Sequence, residues 1–300
     1  MPTPITYYDR YSSSLVEEAV YGEGFLRWAY ETTGGKIALS TFVSRPWFSK
    51  WYGWRMNKPS SRSKIAPFIR DFDVDAKDFL DPAESYPSFN EFFYRKLKPE
   101  ARPIKSTDNH AIFPADGRHL CLPDVTDADA FFVKGQRFDL EKLFVSKQLA
   151  AEFEHGSLLL SRLCPTDYHR FHFPVAGEAG NTVELNSDRL FSVSPIALRK
   201  RLAYLWENKR TRCIVDSPQF GKVAVLEIGA TCVGSIFQTY TPGTIAKGDE
   251  KGYFAFGGSS VITIYKQGTI QFSDDLIEHS ANQTEVYAHI GDTCGVIGVT

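Results

Sequence analysis

The chain has 300 residues, 43% of them hydrophobic and 23% charged, with a formal net charge of -2. That balance fits a large folded domain with an appendage and leaves no global basic surface for a nucleic-acid partner. No run of about 18 apolar residues occurs, which excludes a helical bilayer span, and no apolar core follows a basic head at the N-terminus, which argues against a cleaved export signal. Cys121, Cys164, Cys213, Cys232 and Cys294 are scattered and never form a C-x-x-C pair. They point to a reducing compartment rather than a disulfide frame or a zinc ribbon. The 23 Phe, 14 Tyr and 5 Trp favour strands and a substantial core.

Ser14-Leu-Val-Glu17 has capping-box spacing, and Leu15, Val16, Ala19, Val20, Leu26, Ala29 and Tyr30 roughly hold a helical period up to Gly34-Gly35. This predicts a helix there, weakened at Gly22 and Gly24. From Lys36 to Arg70 there are eight Lys or Arg residues and no Asp or Glu. Trp28 precedes this stretch, and Trp47, Trp51 and Trp54 share one face of a helix that Pro46 would start. Trp favours the headgroup level of a bilayer, and each Lys or Arg near an anionic surface adds about 1 kcal/mol. The pattern fits a membrane-surface helix; a helix packing its Trp face on the main domain is the alternative. Ser-rich Pro59–Lys64 reads as a linker, so a helical membrane-associating segment is expected over residues 1–64 and the main domain over 65–300.

Ser88-Phe-Asn-Glu91 is a second capping box, leading into a helix that Pro99 stops. Short apolar runs punctuated by Gly, Pro and Asp follow: Ala111 to Phe113, Ser157 to Ser161, Lys222 to Ile228, Val261 to Tyr265 and Thr269 to Phe272. They read as strands, interrupted by helices from about Asp139 to Phe153 and from Ser194-Pro195 to about Asn208. The predicted class is α+β, mainly β, with an antiparallel, sandwich-like core.

Four stretches could carry chemistry. In Gly257-Gly258-Ser259-Ser260 the glycines permit backbone angles that let a serine oxygen swing onto the Gly258 carbonyl carbon. A flexible turn is the plain alternative. Pro114-Ala-Asp116-Gly117 places an acid on a tight turn. Asp167-Tyr-His169-Arg-Phe-His172 holds two histidines, which three residues apart on a strand would face opposite ways and chelate a metal poorly; no metal site is expected. Glu227-Ile-Gly-Ala-Thr-Cys-Val-Gly-Ser235 runs a strand into a Gly-rich turn without a dinucleotide fingerprint. Asp116, His172 and Ser259 together supply an acid, a base and a nucleophile, and histidine suits proton transfer at neutral pH.

From about residue 85 onward the chain resembles the phosphatidylserine decarboxylase proenzymes. The resemblance rests on Ser88-Phe-Asn-Glu-Phe-Phe-Tyr-Arg-Lys-Leu-Lys-Pro-Glu-Ala-Arg-Pro103-Ile104, Pro114-Ala-Asp-Gly117, Tyr168-His-Arg-Phe-His-Phe-Pro174, Gly229-Ala-Thr-Cys-Val-Gly-Ser-Ile236 and Lys251-Gly-Tyr-Phe-Ala-Phe-Gly-Gly-Ser-Ser260. Many members carry Leu-Gly-Ser-Thr where this chain has Gly257-Gly258-Ser259-Ser260; the reacting Gly-Ser pair is kept.

The resemblance implies that His172, held by Asp116, activates Ser259 to attack Gly258, and that Ser259 ends as a pyruvoyl group. The chain would part into residues 1–258 and 259–300, which stay together as a heterodimer; whether that unit dimerises further stays open. The pyruvoyl group would form a Schiff base with phosphatidylserine, in place of pyridoxal phosphate or a metal, and release CO₂ to leave phosphatidylethanolamine. By position in the family motif, His169 is the candidate proton donor. Arg170 and the basic N-terminal residues are candidate headgroup contacts. A peripheral place on the anionic, cytoplasmic face of the cell membrane follows from the lipid substrate. A Ser-His-Asp lipid hydrolase and a non-catalytic lipid-binding protein are the alternatives; the chain lacks a G-x-S-x-G elbow for the first.

Overall fold

A computed structural model describes residues 4–104, 106–126, 138–231, 235–255 and 259–298. Its core is an 11-stranded sheet accompanied by two three-stranded sheets. The spine of the large sheet is Ser259–Tyr265, paired antiparallel with Gly221–Gly229 on one side and Ser157–Leu163 on the other. Alternate side chains leave opposite faces of a strand. Val261 therefore joins Leu159, Leu163 and Val225 in one apolar cluster, while Ile262 and Ile264 join Leu158, Leu160 and Leu226 in another. Both faces are covered, which is why these strands read as continuous apolar runs. The α+β, mainly β class agrees with this architecture.

The N-terminal expectations need correcting. Ser14–Glu17 is a strand, not the start of a helix. It forms a hairpin with Thr6–Asp9, which adds in parallel to Glu285–Ala288 at the sheet margin. Hairpin pairing with Thr6–Asp9, itself anchored on the sheet, outweighs the capping pattern here, and the first helix, Glu23–Glu31, begins after Gly22 at φ 69°. Gly34 and Gly35 do not end that helix but lie inside the next one, Thr33–Ala38. Gly35 is required there, because a Cβ would sit 1.9 Å from the Trp28 carbonyl oxygen.

Pro46–Met56 is helical with proline in its first turn, as the sequence predicts. Pro59–Lys64, expected as a linker, is instead a 3₁₀ helix. Its buried Ser61 hydroxyl donates to the Met56 carbonyl and accepts from the Phe89 amide. Met56, Ile65, Phe68, Phe89 and Phe92 then share one cluster, so packing runs through position 64 without a break. Ser88 caps its helix as expected, yet that helix ends at Phe93, well short of Pro99. The single helix expected from Asp139 to Phe153 is broken at Val145 (φ 52°) into Leu140–Phe144 and Lys147–Glu152. The one expected from Ser194 is likewise two short pieces, Pro195–Leu198 and Tyr204–Glu207.

A buried charge network fastens the chain just after the N-terminal hairpin to the strand beside the spine. Arg162 donates to Glu285 at 2.8 Å and to Glu18 at 2.6 and 3.1 Å, with Cys164 Sγ wedged beside them. Burial pushes the Glu18 carboxyl up, but the Arg162 charge and hydrogen bonds outweigh it and hold the pKa at about 2. Residues 1–64 are thus partly built into the sheet. Arg162→Met would strand two buried carboxylates and is expected to cost about 3–5 kcal/mol, read from urea unfolding midpoints. A cost within error of zero would mean the network is dispensable.

Candidate active site

Ser259 heads the spine strand, opposite Gly229 on one neighbour and Leu163 on the other. Gly257 and Gly258 lie outside the described residues. The Ser259 side chain is fully buried, and its Oγ stands 3.5 Å from His169 Nδ1. His169 precedes the strand Arg170–His172. Its ring stacks on Phe93 with centroids 3.8 Å apart, and its Nε2 lies 2.8 Å from the Cys164 carbonyl oxygen. A carbonyl can only accept, so Nε2 carries the hydrogen and Nδ1 turns its lone pair toward the serine hydroxyl. Burial pulls the His169 pKa down to about 3, so the ring is neutral near pH 7. This is the geometry of a base beside a nucleophile, at a separation that commonly tightens only when the reaction is engaged.

Asp116 and His172 are placed differently from the sequence expectation. The Asp116 carboxylate accepts from Arg102 Nε at 2.9 and 3.1 Å, from Arg102 Nη2 at 2.8 Å and from the Ile290 amide at 2.9 Å. The planar guanidinium fork matches a carboxylate better than an imidazole does. Among the described residues His172 Nδ1 is buried without a hydrogen-bond partner, and the ring borders a polar cavity of about 390 Å³ with Lys98, Arg102 and Tyr168. Burial lowers the His172 pKa to about 4, opposed in part by the charges of Glu250 and Asp116. No hydrogen bond joins His172 to Asp116 or to Ser259. The two histidines of the motif face different surroundings, as their three-residue spacing on extended chain dictates.

Sequence reasoning missed the contact of His169 with Ser259 and the clamp of Arg102 on Asp116. The only signal for Arg102 was its presence in the Glu-Ala-Arg-Pro stretch of the resemblance. Arg170, a candidate headgroup contact, is buried and donates to both Glu250 oxygens at 2.9 Å. It is not free for a ligand.

An apolar cavity of about 360 Å³ lies near this site, bounded by Phe25, Leu26, Phe48 and Tyr52 from the N-terminal helices and by Leu163 and Cys164 from the sheet. Outside it, Trp28, Trp47, Trp51 and Trp54 are exposed by 43%, 54%, 45% and 56%. The Trp face of Pro46–Met56 is therefore about half open to solvent rather than buried against the main domain. Lys58 Nζ stands 3.5 Å above the Trp54 ring and Arg55 lies over Trp51. Among the described residues no helix is long and apolar enough to cross a membrane, and no group of three or more His, Cys, Asp or Glu could hold a metal ion.

Fold and site together describe a β-rich protein with a buried serine hydroxyl beside the lone pair of a histidine. The family model for phosphatidylserine decarboxylase matches residues 89–295. Across almost its whole length the chain is similar to proteins named phosphatidylserine decarboxylase proenzyme. That of Fusobacterium nucleatum is 41% identical over 97% of both chains. That of Clostridium botulinum strain 657 is 43% identical over 97% of this chain and 99% of its own. That of Chlamydia pneumoniae is 42% identical over 96% of each. The chain belongs to the phosphatidylserine decarboxylase family and is a decarboxylase of phospholipid biosynthesis.

His119, like His169, is wholly buried and held at about 3, with burial as the main cause. In the unfolded chain these rings and His172 take up a proton near the ordinary 6.5, but in the fold they resist until about pH 3–4. Below 6.5 the unfolded state therefore binds more protons, and stability falls as pH falls. Each ring is expected to contribute a loss of about 1.4 kcal/mol per pH unit between about pH 6 and 4.5. Urea midpoints across that window check this; a flat profile would contradict it.

Proposed function

We propose that this enzyme is a proenzyme that severs itself between Gly258 and Ser259 and converts Ser259 to a pyruvoyl group. With that group it turns phosphatidylserine into phosphatidylethanolamine and CO₂ at the cytoplasmic face of the cell membrane. The observation that carries the reading is the buried Ser259 hydroxyl facing the lone pair of a neutral imidazole at 3.5 Å. Its relatives' name, proenzyme, agrees with such processing.

Self-cleavage uses only the chain's own atoms and water. The Ser259 proton passes to an imidazole, and the oxygen adds to the Gly258 carbonyl carbon. The carbon–nitrogen bond breaks, leaving an ester and a free amine on residue 259. Elimination then breaks the ester bond at the serine β-carbon and releases the Gly258 carboxylate. Water replaces the remaining nitrogen, which departs as ammonia. Asp116 and His172 are assigned to this step, and His169, after taking a proton onto Nδ1 from the substrate's ammonium group, returns it once CO₂ has left, a role worth about 10²–10⁴ in rate.

The residues present fit the pyruvoyl group. Position 259 is fully enclosed, His169 adjoins it, and the buried Ser260 hydroxyl beside it has no partner to lose. When present, the ketone supplies the electron sink for breaking the bond to the carboxylate. Residues 1–258 and 259–300 remain a heterodimer through the pairing of the spine strand.

The 3.5 Å contact also favours a second assignment, in which His169 itself takes the Ser259 proton. Denatured intact mass and CO₂ release separate the two. Wild type is expected as two fragments, the smaller blocked at its N-terminus, and Ser259→Ala as one inactive piece. In the first assignment His172→Ala stays whole, while His169→Ala splits but loses at least about 100-fold in turnover. In the second, His169→Ala stays whole. An intact yet active wild type would sink both.

The exposed tryptophans, the acid-free basic stretch and the apolar cavity walled by Phe25 and Phe48 support docking on an anionic bilayer. Replacing Trp47, Trp51 and Trp54 together by Ser is expected to weaken binding to anionic vesicles about tenfold or more, with self-cleavage unchanged. Undiminished binding in a vesicle sedimentation assay would refute the membrane assignment.

A further inference from the structure

The strand Glu250–Phe254 leads the chain toward Gly258, and its pairing with Arg170–His172 slips between Glu250 and Gly252. Lys251 is the extra residue. A bulge of this kind re-aims a side chain, and this one turns a lysine into the core. Lys251 is fully buried, with Nζ 2.9 Å from Glu227 Oε1 and 2.8 Å from Gln238 Oε1. Glu227 is equally buried and accepts from Thr211 Oγ1 at 2.5 Å and Gln238 Nε2 at 3.0 Å. It belongs to the strand beside the spine, opposite Val261 and two positions from the Gly229–Ser259 pair. Gly252 makes the close approach feasible, since a Cβ there would meet the Phe237 carbonyl oxygen at 2.0 Å. At the end of the same strand, the Phe254 amide donates to the His169 carbonyl at 2.9 Å.

Neither Lys251 nor Glu227 has a part in the chemistry above. A buried ion pair is weak evidence for stability, because well-packed apolar residues often serve as well. What a pair with several directional bonds supplies is a defined position. We propose that the Lys251–Glu227 pair is a positioning device for self-cleavage. It ties the strand Glu250–Phe254, whose last amide bonds the His169 carbonyl, to the strand that pairs with Ser259, so Phe254 and Ser259 are both held in register with His169. This rests on the self-processing reading.

The test follows the disappearance of the intact chain after synthesis, by denaturing gel and mass. Lys251→Met combined with Glu227→Leu removes both charges together. The double variant is expected to melt within a few degrees of wild type yet sever at least about tenfold more slowly. Lys251→Arg, which keeps the cation, is expected to sever within about threefold of wild type. A well-folded double variant that severs at the wild-type rate, or an arginine variant as slow as the double one, overturns the proposal. If the double variant does not fold, Gln238→Leu decides, since it removes only the half-buried amide that bridges the pair. A several-fold slower cut at unchanged melting supports the positioning role, and an unchanged rate refutes it. A wild type that never severs would refute the self-processing reading instead, and no variant would then be needed.

Discussion

The constraint on which the molecule depends is the two-sided pairing of Ser259–Tyr265. Seven residues of this strand are paired on each side, from Ser259 opposite Gly229 and Leu163 to Tyr265 opposite Val223 and Ser157. The ladder satisfies the backbone of a segment buried along its whole length, where an unpaired amide would be costly. It also fixes Ser259 to the sheet by its own backbone. The residues after it are interleaved with those before it: Glu285–Ala288 lies in the large sheet, and Thr293–Ile297 sits between Ile270–Phe272 and His110–Ile112. A cut ahead of Ser259 leaves this pairing whole.

Around the spine the interior sorts its titratable groups by whether they have a partner. Arg162 meets Glu18 and Glu285, Arg118 meets Asp167 at 2.6 Å between the rings of Tyr7 and Tyr287, and Lys251 meets Glu227. Each of these charges is offset by an opposite one, which is the condition for burying it. The buried imidazoles of His119 and His169 make their hydrogen bonds to neutral serine and carbonyl groups and discharge instead. Burial disfavours a charged ring, so His169 stands beside Ser259 as a neutral imidazole.

The N-terminal region reconciles two demands. Its first strands and Glu18 are structural, tied to the sheet by pairing and by Arg162. Its helices bury Met56 and Tyr30 inward while leaving four tryptophans outside. Aromatic rings held at a surface by cation contacts, over a stretch with no acidic residue, are the features on which the proposed bilayer contact rests. The apolar cavity walled by Phe25 and Phe48 reaches Leu163, the residue paired with Ser259.

The sequence by itself determined whatever is written in near neighbours. Pro46 marked the start of the Trp helix, Ser88 its own cap, the apolar run after Ser259 a buried strand, and the ordered motifs the family. It misread Ser14–Glu17, because a capping box records only local preference while the strand pairs with Thr6–Asp9, which is itself anchored on Glu285–Ala288. Only the tertiary structure decided which histidine adjoins Ser259, that Arg102 holds Asp116, and that a bulge sends Lys251 to Glu227. Arg162 reaches Glu18 across 144 residues and Glu285 across 123. Contacts of that kind arise when strands distant in the chain lie side by side, and no pattern of adjacent residues encodes them.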